Sequence, residues 1–290
     1  MLWLVALMGV LALGILSLAR NDNATAHAAL DEVQAEGLAD AGVYLVIHEL
    51  SNRQTAANVP VDGSPRILRV GDHEVEVSVQ DENGKIDLNY APKELLTSLL
   101  STVGLSQGES AKIVSAIQDR RLMASGNMQN IGNVTAVQTL QALPFFTAEQ
   151  LKSIPGITDE IFLRIRPALT VYSQQTIVQT ATAPKEALQA LPGLNAQQVE
   201  NVMAQRQNHP VTAGGIGLVE AMTGQGGTLG RNFTIISKAR MEKTVFVRRA
   251  VVFITGIPQH PYAIMEWVVE ETQGKSSQSL RMRPGIFSDS

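Results

Sequence analysis

The sequence predicts an α+β protein. A long N-terminal helix packs on an antiparallel sheet, and a large all-α insert of helix-hairpin-helix-like repeats interrupts that sheet. Three observations carry this prediction. An uncharged opening run continues into a helical pattern with no proline before Pro60. Strand-type alternation occurs near residues 74–80 and returns only after residue 230. Between the two lies a helical block that repeats itself.

From Met1 to Ala19 there is no charged side chain, and the first charge is Arg20. At about 1.5 Å of rise per residue, this run approaches the thickness of a bilayer's hydrocarbon core. A retained membrane anchor is preferred over a cleaved secretory signal with Ala24-Thr25-Ala26 as its small-residue site. No Lys or Arg precedes the run, and Arg20 and Asp22 occupy a stretch that a cleavage region keeps neutral. An anchor whose body is exported should have Lys or Arg before it, and only the N-terminal amine is there. Beyond Arg20, Leu30, Val33, Leu38, Ala41 and Leu45 recur at helical steps. The helix is expected to reach about Ser51, apolar all round in its first half and amphipathic in its second. Gly37 and Gly42 are mild interruptions only.

Residues 51–64 are polar and turn-rich. Arg66 to Gln80 reads as one strand, with Val75, Val77 and Val79 on the buried side and Glu74, Glu76, Ser78 and Gln80 on the other. Asp81-Glu82-Asn83-Gly84 closes it with a turn. The repeat follows. Ile86-Asp87-Leu88-Asn89-Tyr90-Ala91-Pro92-Lys93-Glu94 aligns with Val178-Gln179-Thr180-Ala181-Thr182-Ala183-Pro184-Lys185-Glu186. Each places a proline at an expected first helical position, where its missing N–H is harmless. Each leads to a short helix, a tight turn at Gly104 or Pro192-Gly193, and a second helix. A third copy, Leu151-Lys152-Ser153-Ile154-Pro155-Gly156-Ile157, lies between them. Ser106 with Glu109, Thr147 with Gln150, and Asn195 with Gln198 have capping-box spacing.

Ala213 to Gly230 is Gly-rich and reads as a loop. Phe233–Ser237, Thr244–Ile254 and Ala263–Glu270 are rich in β-branched and aromatic residues and read as strands. The expected division is an N-terminal helix over 1–55, the first part of a β domain over 56–84, an α-helical insert over 85–210, and the rest of the β domain over 211–290.

Several segments resemble a known family. Trp3 in its apolar run is similar to a Leu-Trp pair, and Ala35-Glu36-Gly37-Leu38-Ala39-Asp40-Ala41-Gly42-Val43 to a helix segment, of the type II secretion protein K family. This family is the large minor pseudopilin of the general secretory pathway. Asp81 through Pro92 is similar to the family's most specific motif, the segment that leads into its helical insert. Phe146 through Ser173 also resembles it, in Leu151-x-x-Ile154-Pro155-Gly156-Ile157 and Leu169-Thr170-Val171-Tyr172-Ser173.

The resemblance covers nearly the whole chain. It implies a pilin-like fold and a subunit that caps the tip of a periplasmic pseudopilus. It implies a heterotrimeric tip complex with two smaller minor pseudopilins, formed through N-terminal helices and sheet edges. It further implies a single-pass place in the bacterial inner membrane beside the secretion platform. The face expected to pack in that assembly is Trp3, Leu7, Leu11, Leu30, Val33 and Leu38. The residues that define the segment leading into the insert are Asp81, Gly84, Ile86, Leu88, Asn89, Ala91 and Pro92. The hairpin turns are Gly104, Pro155, Gly156, Pro192 and Gly193.

The family has a basic leader and a peptidase site ending in Gly before its Leu-Trp, whereas this sequence starts directly before Leu2-Trp3; the natural start is expected upstream. Calcium is implied by the resemblance alone, since some relatives pair a disulfide with a calcium site. The second repeat carries Ala181 where the first has Asn89.

The alternative is a membrane-anchored helix-hairpin-helix DNA receptor of the competence type. From Lys85 to His209 there are ten Lys and Arg against nine Asp and Glu, with Asp159 and Glu160 directly after the clearest hairpin. DNA affinity rests on several phosphate neutralisations, so no nucleic-acid partner is expected. Over the 290 residues the net charge is −4. The absence of cysteine excludes disulfides and thiolate metal sites. Asp81, Glu82 and Asp87, and separately Asp72 and Glu74, are expected to be solvated turn carboxylates, because no segment has calcium-loop spacing. The five histidines are scattered. No nucleophile or phosphate-loop motif is present, so no enzyme and no cofactor is predicted.

Overall fold

The structure, a computed structural model, describes residues 2–128, 145–214, 231–242 and 244–270, with side chains at all of these but 2, 4–27, 53 and 123–128. Helix α1 spans Leu2–Ser51 without a break, as the sequence predicts, and a single turn, α2, follows at Arg53–Ala56. The expected single strand over 66–80 is instead a hairpin. β1 is Asp62–Val70 and β2 is His73–Asp81, paired antiparallel with Val70 opposite His73. Gly71, at φ +60°, makes the two-residue turn that an alternation count reads through. Pro65, beside an irregularity in the pairing, suits β1 as a sheet edge.

After the insert the chain returns as β5 (Arg231–Met241), β6 (Thr244–Ile257) and β7 (His260–Val269). The sheet order is β1-β2-β5-β6-β7. β2 and β5 are antiparallel neighbours, with Asp81 opposite Phe233, so one sheet is built from both sides of the insert.

The insert holds β3 (Ile86–Asp87), α3 (Lys93–Thr102), α4 (Gln107–Met128), a 3₁₀ turn at Ala148–Ser153, α5 (Asp159–Ile165), a second 3₁₀ turn at Arg166–Ala168, β4 (Leu169–Thr170), α6 (Lys185–Ala190) and α7 (Ala196–Asn208). Three hairpins turn on Gly104, Gly156 and Gly193, with φ of +91°, +96° and +87°. At these angles a Cβ would be strained, which is why each predicted turn carries glycine. Pro155 and Pro192, which precede two of them, are exposed.

Two of the three capping boxes form. Ser106 and Glu109 bond reciprocally, and so do Asn195 and Gln198. Thr147 does not cap with its side chain. Gln150 Oε1 accepts from the Phe146 N–H instead, and Arg120 also reaches it. Pro92 and Pro184 are the N-caps themselves, one residue earlier than expected, in extended backbone at ψ of 154° and 162°.

The core is in two parts. One cluster is internal to the insert and includes Leu88, Leu99, Ile117, Phe145, Leu151 and Ile165. The other joins α1 to the sheet through Val43, Val46, Ile47, Val77, Ile235 and Val252. α1 crosses the sheet obliquely. Glu36 and Asp40 reach Arg248 on β6, Gly42 lies over Ser237 on β5 and Val75 and Val77 on β2, and Glu49 pairs with Arg66 on β1. The insert meets the sheet's other face, at Thr234, Arg249 and Glu266. β6 is covered on both faces, so Val247 to Val252 is a continuous buried run.

The glycine-rich segment from residue 215 to 230 and the tail from residue 271 lie outside the described residues.

The two helix glycines separate packing from propensity. A Cβ on Gly42 would overlap Ser237 Oγ and stand 3.0 Å from Val75 Cγ1, whereas nothing lies within 4 Å of one on Gly37. Equilibrium denaturation should show Gly42→Ala destabilised by about 1–3 kcal/mol and Gly37→Ala stabilised by about 0.5–1 kcal/mol.

Candidate assembly site

α1 has two faces below its apolar opening. Ala35, Ala39, Val43, Val46, Ile47 and Leu50 are buried on the sheet. They fall at helical spacing, as a docked helix requires. On the opposite side Leu30, Val33, Gly37 and Ala41 follow one another at steps of three and four. Leu30 is 57% and Val33 67% exposed, so a row of apolar and small residues faces away from the domain.

Of the six residues expected on the assembly face, Trp3, Leu30 and Val33 are exposed. Leu38 turns the other way and packs against the helix–sheet core. The side chains of Leu7 and Leu11 lie outside the described residues. Among the described residues no helix is long and apolar enough to cross a membrane; apart from Trp3, the side chains of the Met1–Ala19 run fall outside them.

The docked face is pinned by one arginine. Arg248 Nε donates to Asp40 Oδ1 at 2.6 Å and Nη2 to Glu36 Oε1 at 2.7 Å. Its guanidinium also lies 5.0 Å from the Phe246 ring and 5.2 Å from Trp267, and Trp267 packs on Tyr44 at 5.4 Å. Glu36, Asp40 and Gly42 thus account physically for much of the Ala35–Val43 segment singled out from sequence.

The segment leading into the insert is a structural joint, and each of its residues has a task. Asp81 Oδ1 caps the turn by accepting from the Asn83 N–H at 2.9 Å. A Cβ on Gly84 would come 2.6 Å from the Thr182 carbonyl oxygen, so the turn ahead of the first copy touches the second copy backbone to backbone. Ile86 pairs in parallel with Leu169, and the Leu88 N–H donates to the Thr170 carbonyl at 2.8 Å. Asn89 holds Phe145 through both its backbone groups. Pro92 caps α3, and Ala91, fully buried, presents its carbonyl to Arg121.

Asp81, Glu82 and Asp87 are buried, contrary to the solvated turn expected of them. They replace water with protein donors. Asp87 accepts from the Asn89 and Gln174 N–H groups and from Ser173 Oγ. Burial raises its pKa, and these donors oppose the rise. Asp72 and Glu74 are exposed, as expected. Calcium finds no group of three or more potential ligand side chains among the described residues.

Glu82 and Lys85 form a buried ion pair at 2.6 Å, and Thr234 Oγ1 donates to the same carboxylate oxygen at 2.5 Å. Burial lowers the Lys85 pKa, and Glu82 works against that. Alongside, Arg249 reaches Glu266 at 2.9 Å, Glu270 at 3.0 Å and the insert's Glu149 at 3.5 Å. Burial alone would lower the Arg249 pKa; Glu266, Glu149 and Glu270 raise it overall. Tyr172 donates to Glu266 Oε2 at 3.1 Å, so burial and that carboxylate both push its pKa up. A cavity of about 10 Å³ sits among Glu82, Lys85, Tyr172, Thr234, Arg249 and Glu266, room for roughly one water.

Sequence reasoning missed two arginines that act alike. Arg121 on α4 donates to the carbonyls of Leu88 and Ala91. Arg206 on α7 donates to those of Thr180 and Ala183. These carbonyls occupy aligned positions of the repeat. The available signal was an arginine on the second helix of each copy, but it lies one helical turn farther from the hairpin glycine in the first, so a direct alignment slips past it. The second hairpin leads into a helix whose first turn carries the exposed carboxylates Asp159 and Glu160, an arrangement that repels phosphate.

The solved structure of the GspK-GspI-GspJ complex from the enterotoxigenic Escherichia coli type 2 secretion system is similar to this chain. The TM-score is 0.48 and the identity 16%, over 88% of this chain and 99% of that chain. No protein-family model and no curated protein matches the sequence.

The buried pair should behave as a unit. Lys85→Met leaves Glu82 buried without its cation and should cost about 3–5 kcal/mol. Adding Glu82→Leu should restore most of that loss. A denaturation double-mutant cycle checks this, and additive losses would show that the two residues act separately.

Proposed function

We propose that this chain is a minor pseudopilin of a type II secretion system, seated at the tip of the pseudopilus, where it supports export across the outer membrane without catalysing a reaction. The observation that carries this reading is the two-sidedness of α1. One face is fully engaged with the sheet, while the opposite face presents Leu30, Val33 and Gly37 to the outside. Apolar side chains in such a row are suited to burial against another helix. Gly37 and Ala41 would let the two backbones come close.

In this reading the uncharged Met1–Ala19 run holds the subunit in a bacterial inner membrane, with the folded domain in the periplasm. On assembly the same helix exchanges lipid for the helices of sibling subunits, so apolar burial is transferred and little is lost. The partners are two smaller minor pseudopilins, in a heterotrimeric tip complex, and the inner-membrane secretion platform. The outer edge of β7, which pairs with no further strand among the described residues, offers a second contact. The insert is bulky, has its own core and is fixed to the sheet by Arg249 and Tyr172. That rigidity suits a steric cap.

Leu30→Asp combined with Val33→Asp should leave the unfolding free energy of the full chain within about 0.5 kcal/mol of the parent for each substitution, because both positions are exposed. The same pair should abolish secretion and co-purification with the other minor pseudopilins. Normal secretion by a folded double variant would reject the proposal.

A further inference from the structure

We infer that the cleft beside the third hairpin is a docking site for an aromatic side chain carried on an extended segment of another protein chain. The inference stands apart from the proposed function and rests on the internal repeat, whose two copies are built alike but not filled alike.

In the first copy the place is occupied. Asn89 Nδ2 donates to the Phe145 carbonyl at 2.9 Å, and Asn89 Oδ1 accepts from the Phe145 N–H at 3.0 Å. This is the grip of one amide on an extended backbone. Phe145 is fully buried, and the Arg120 guanidinium lies 4.4 Å from its ring centroid. Arg121, the next residue, clamps the carbonyls of Leu88 and Ala91.

In the second copy Arg206 clamps the aligned carbonyls of Thr180 and Ala183. The two clamps fix the correspondence in space. Ala181 stands where Asn89 does, and Gln205, directly before the clamping arginine, stands where Arg120 does. Ala181 and Gln205 both line an open cleft of about 650 Å³, with Leu188, Leu194 and Val202 also in its lining. No Phe, Tyr or Trp of the described residues lines it.

Size, apolar walls and charge agree on the occupant. The volume falls in the range of ligand pockets, roughly 300–1,000 Å³. The lining brings the Arg206 guanidinium and no carboxylate, so its charge is complementary to the negative face of an aromatic ring. Thr180, Ala181, Gln205 and His209 are exposed, so the cleft is open to a partner. With alanine in place of asparagine the backbone grip is gone, which leaves a weaker and reversible seat.

The test uses the full chain in lipid nanodiscs and an acetylated, amidated Leu-Pro-Phe-Phe-Thr-Ala peptide, the sequence of residues 143–148, fluorinated on its rings and followed by ¹⁹F NMR. Saturable binding is expected, with Kd on the order of 0.1–1 mM. A peptide with both phenylalanines replaced by alanine should not bind. Val202→Asp should weaken binding about tenfold or more. Leu194→Gln, at the half-buried rim, serves if that variant unfolds. Ala181→Asn should tighten binding about tenfold by restoring two hydrogen bonds. No binding at about 5 mM, binding indifferent to Val202→Asp and Leu194→Gln, or equal binding of the alanine peptide would each overturn the inference. So would binding that begins only after residues 215–230 are removed, which would assign the cleft to this chain's own backbone.

Discussion

Strand β6 sends its side chains alternately to the two faces of the sheet, so the adjacent Arg248 and Arg249 leave it in opposite directions. Arg248 reaches Glu36 and Asp40 and fixes α1 on one side. Arg249 reaches Glu149 and fixes the insert on the other, while Glu266 and Glu270 hold it from β7. Both arginines are buried. A buried guanidinium without partners would be severely destabilising, so Arg248 is accommodated only with α1 docked, whereas Arg249 keeps Glu266 and Glu270 and adds the insert's Glu149. The three-layer order of helix, sheet and insert depends on this one pleat.

The insert shows how a duplicated unit is adapted. In each copy an arginine from the second helix ties down two carbonyls ahead of the first, satisfying backbone acceptors that the turn leaves unpaired. The first helix is a turn longer in the first copy, Lys93–Thr102 against Lys185–Ala190, and the arginine has moved by a turn along the second helix to match. Gly84, in the turn ahead of the first copy, meets Thr182 of the second, where there is no room for a side chain. The segment from Asp81 to Pro92 is therefore a joint between sheet, first repeat and second repeat. Its distinctive residues each answer to a geometric demand of that joint.

α1 is asymmetric for a physical reason. Its docked face uses small residues, Ala35, Ala39 and Gly42, and at Gly42 the helix approaches the valines of β2 closely. Its outward face combines large apolar residues with Gly37 and Ala41. A helix that ended its work at the sheet would carry charges there. This one keeps an apolar row available, and the proposed assembly role rests on that choice.

The sequence by itself determined the elements whose signals are local. Helical spacing and the lack of proline set α1. Glycine at Gly104, Gly156 and Gly193 set the hairpins, because only the left-handed region closes those turns. Alternation and β-branching set the strands, and the interruption between Val79 and Phe233 announced an insert. What depends on contacts between distant residues was not legible. The β1–β2 hairpin was hidden because its turn, Gly71-Asp72, is only two residues long, although across it the core side passes from Leu68 and Val70 to Val75, Val77 and Val79. The burial of Asp81, Glu82 and Asp87 was hidden because carboxylates in a Gly-Asn turn look solvated until Lys85, Thr234 and Ser173 close around them. Leu38 follows the same helical periodicity as Leu30 and Val33, yet it lies on the docked side, since only the sheet decides which stripe of an apolar helix is inward. Arg248 and Arg249 read as two charges in a strand. Only the tertiary structure, by burying both faces of β6, made them the fastening of the molecule.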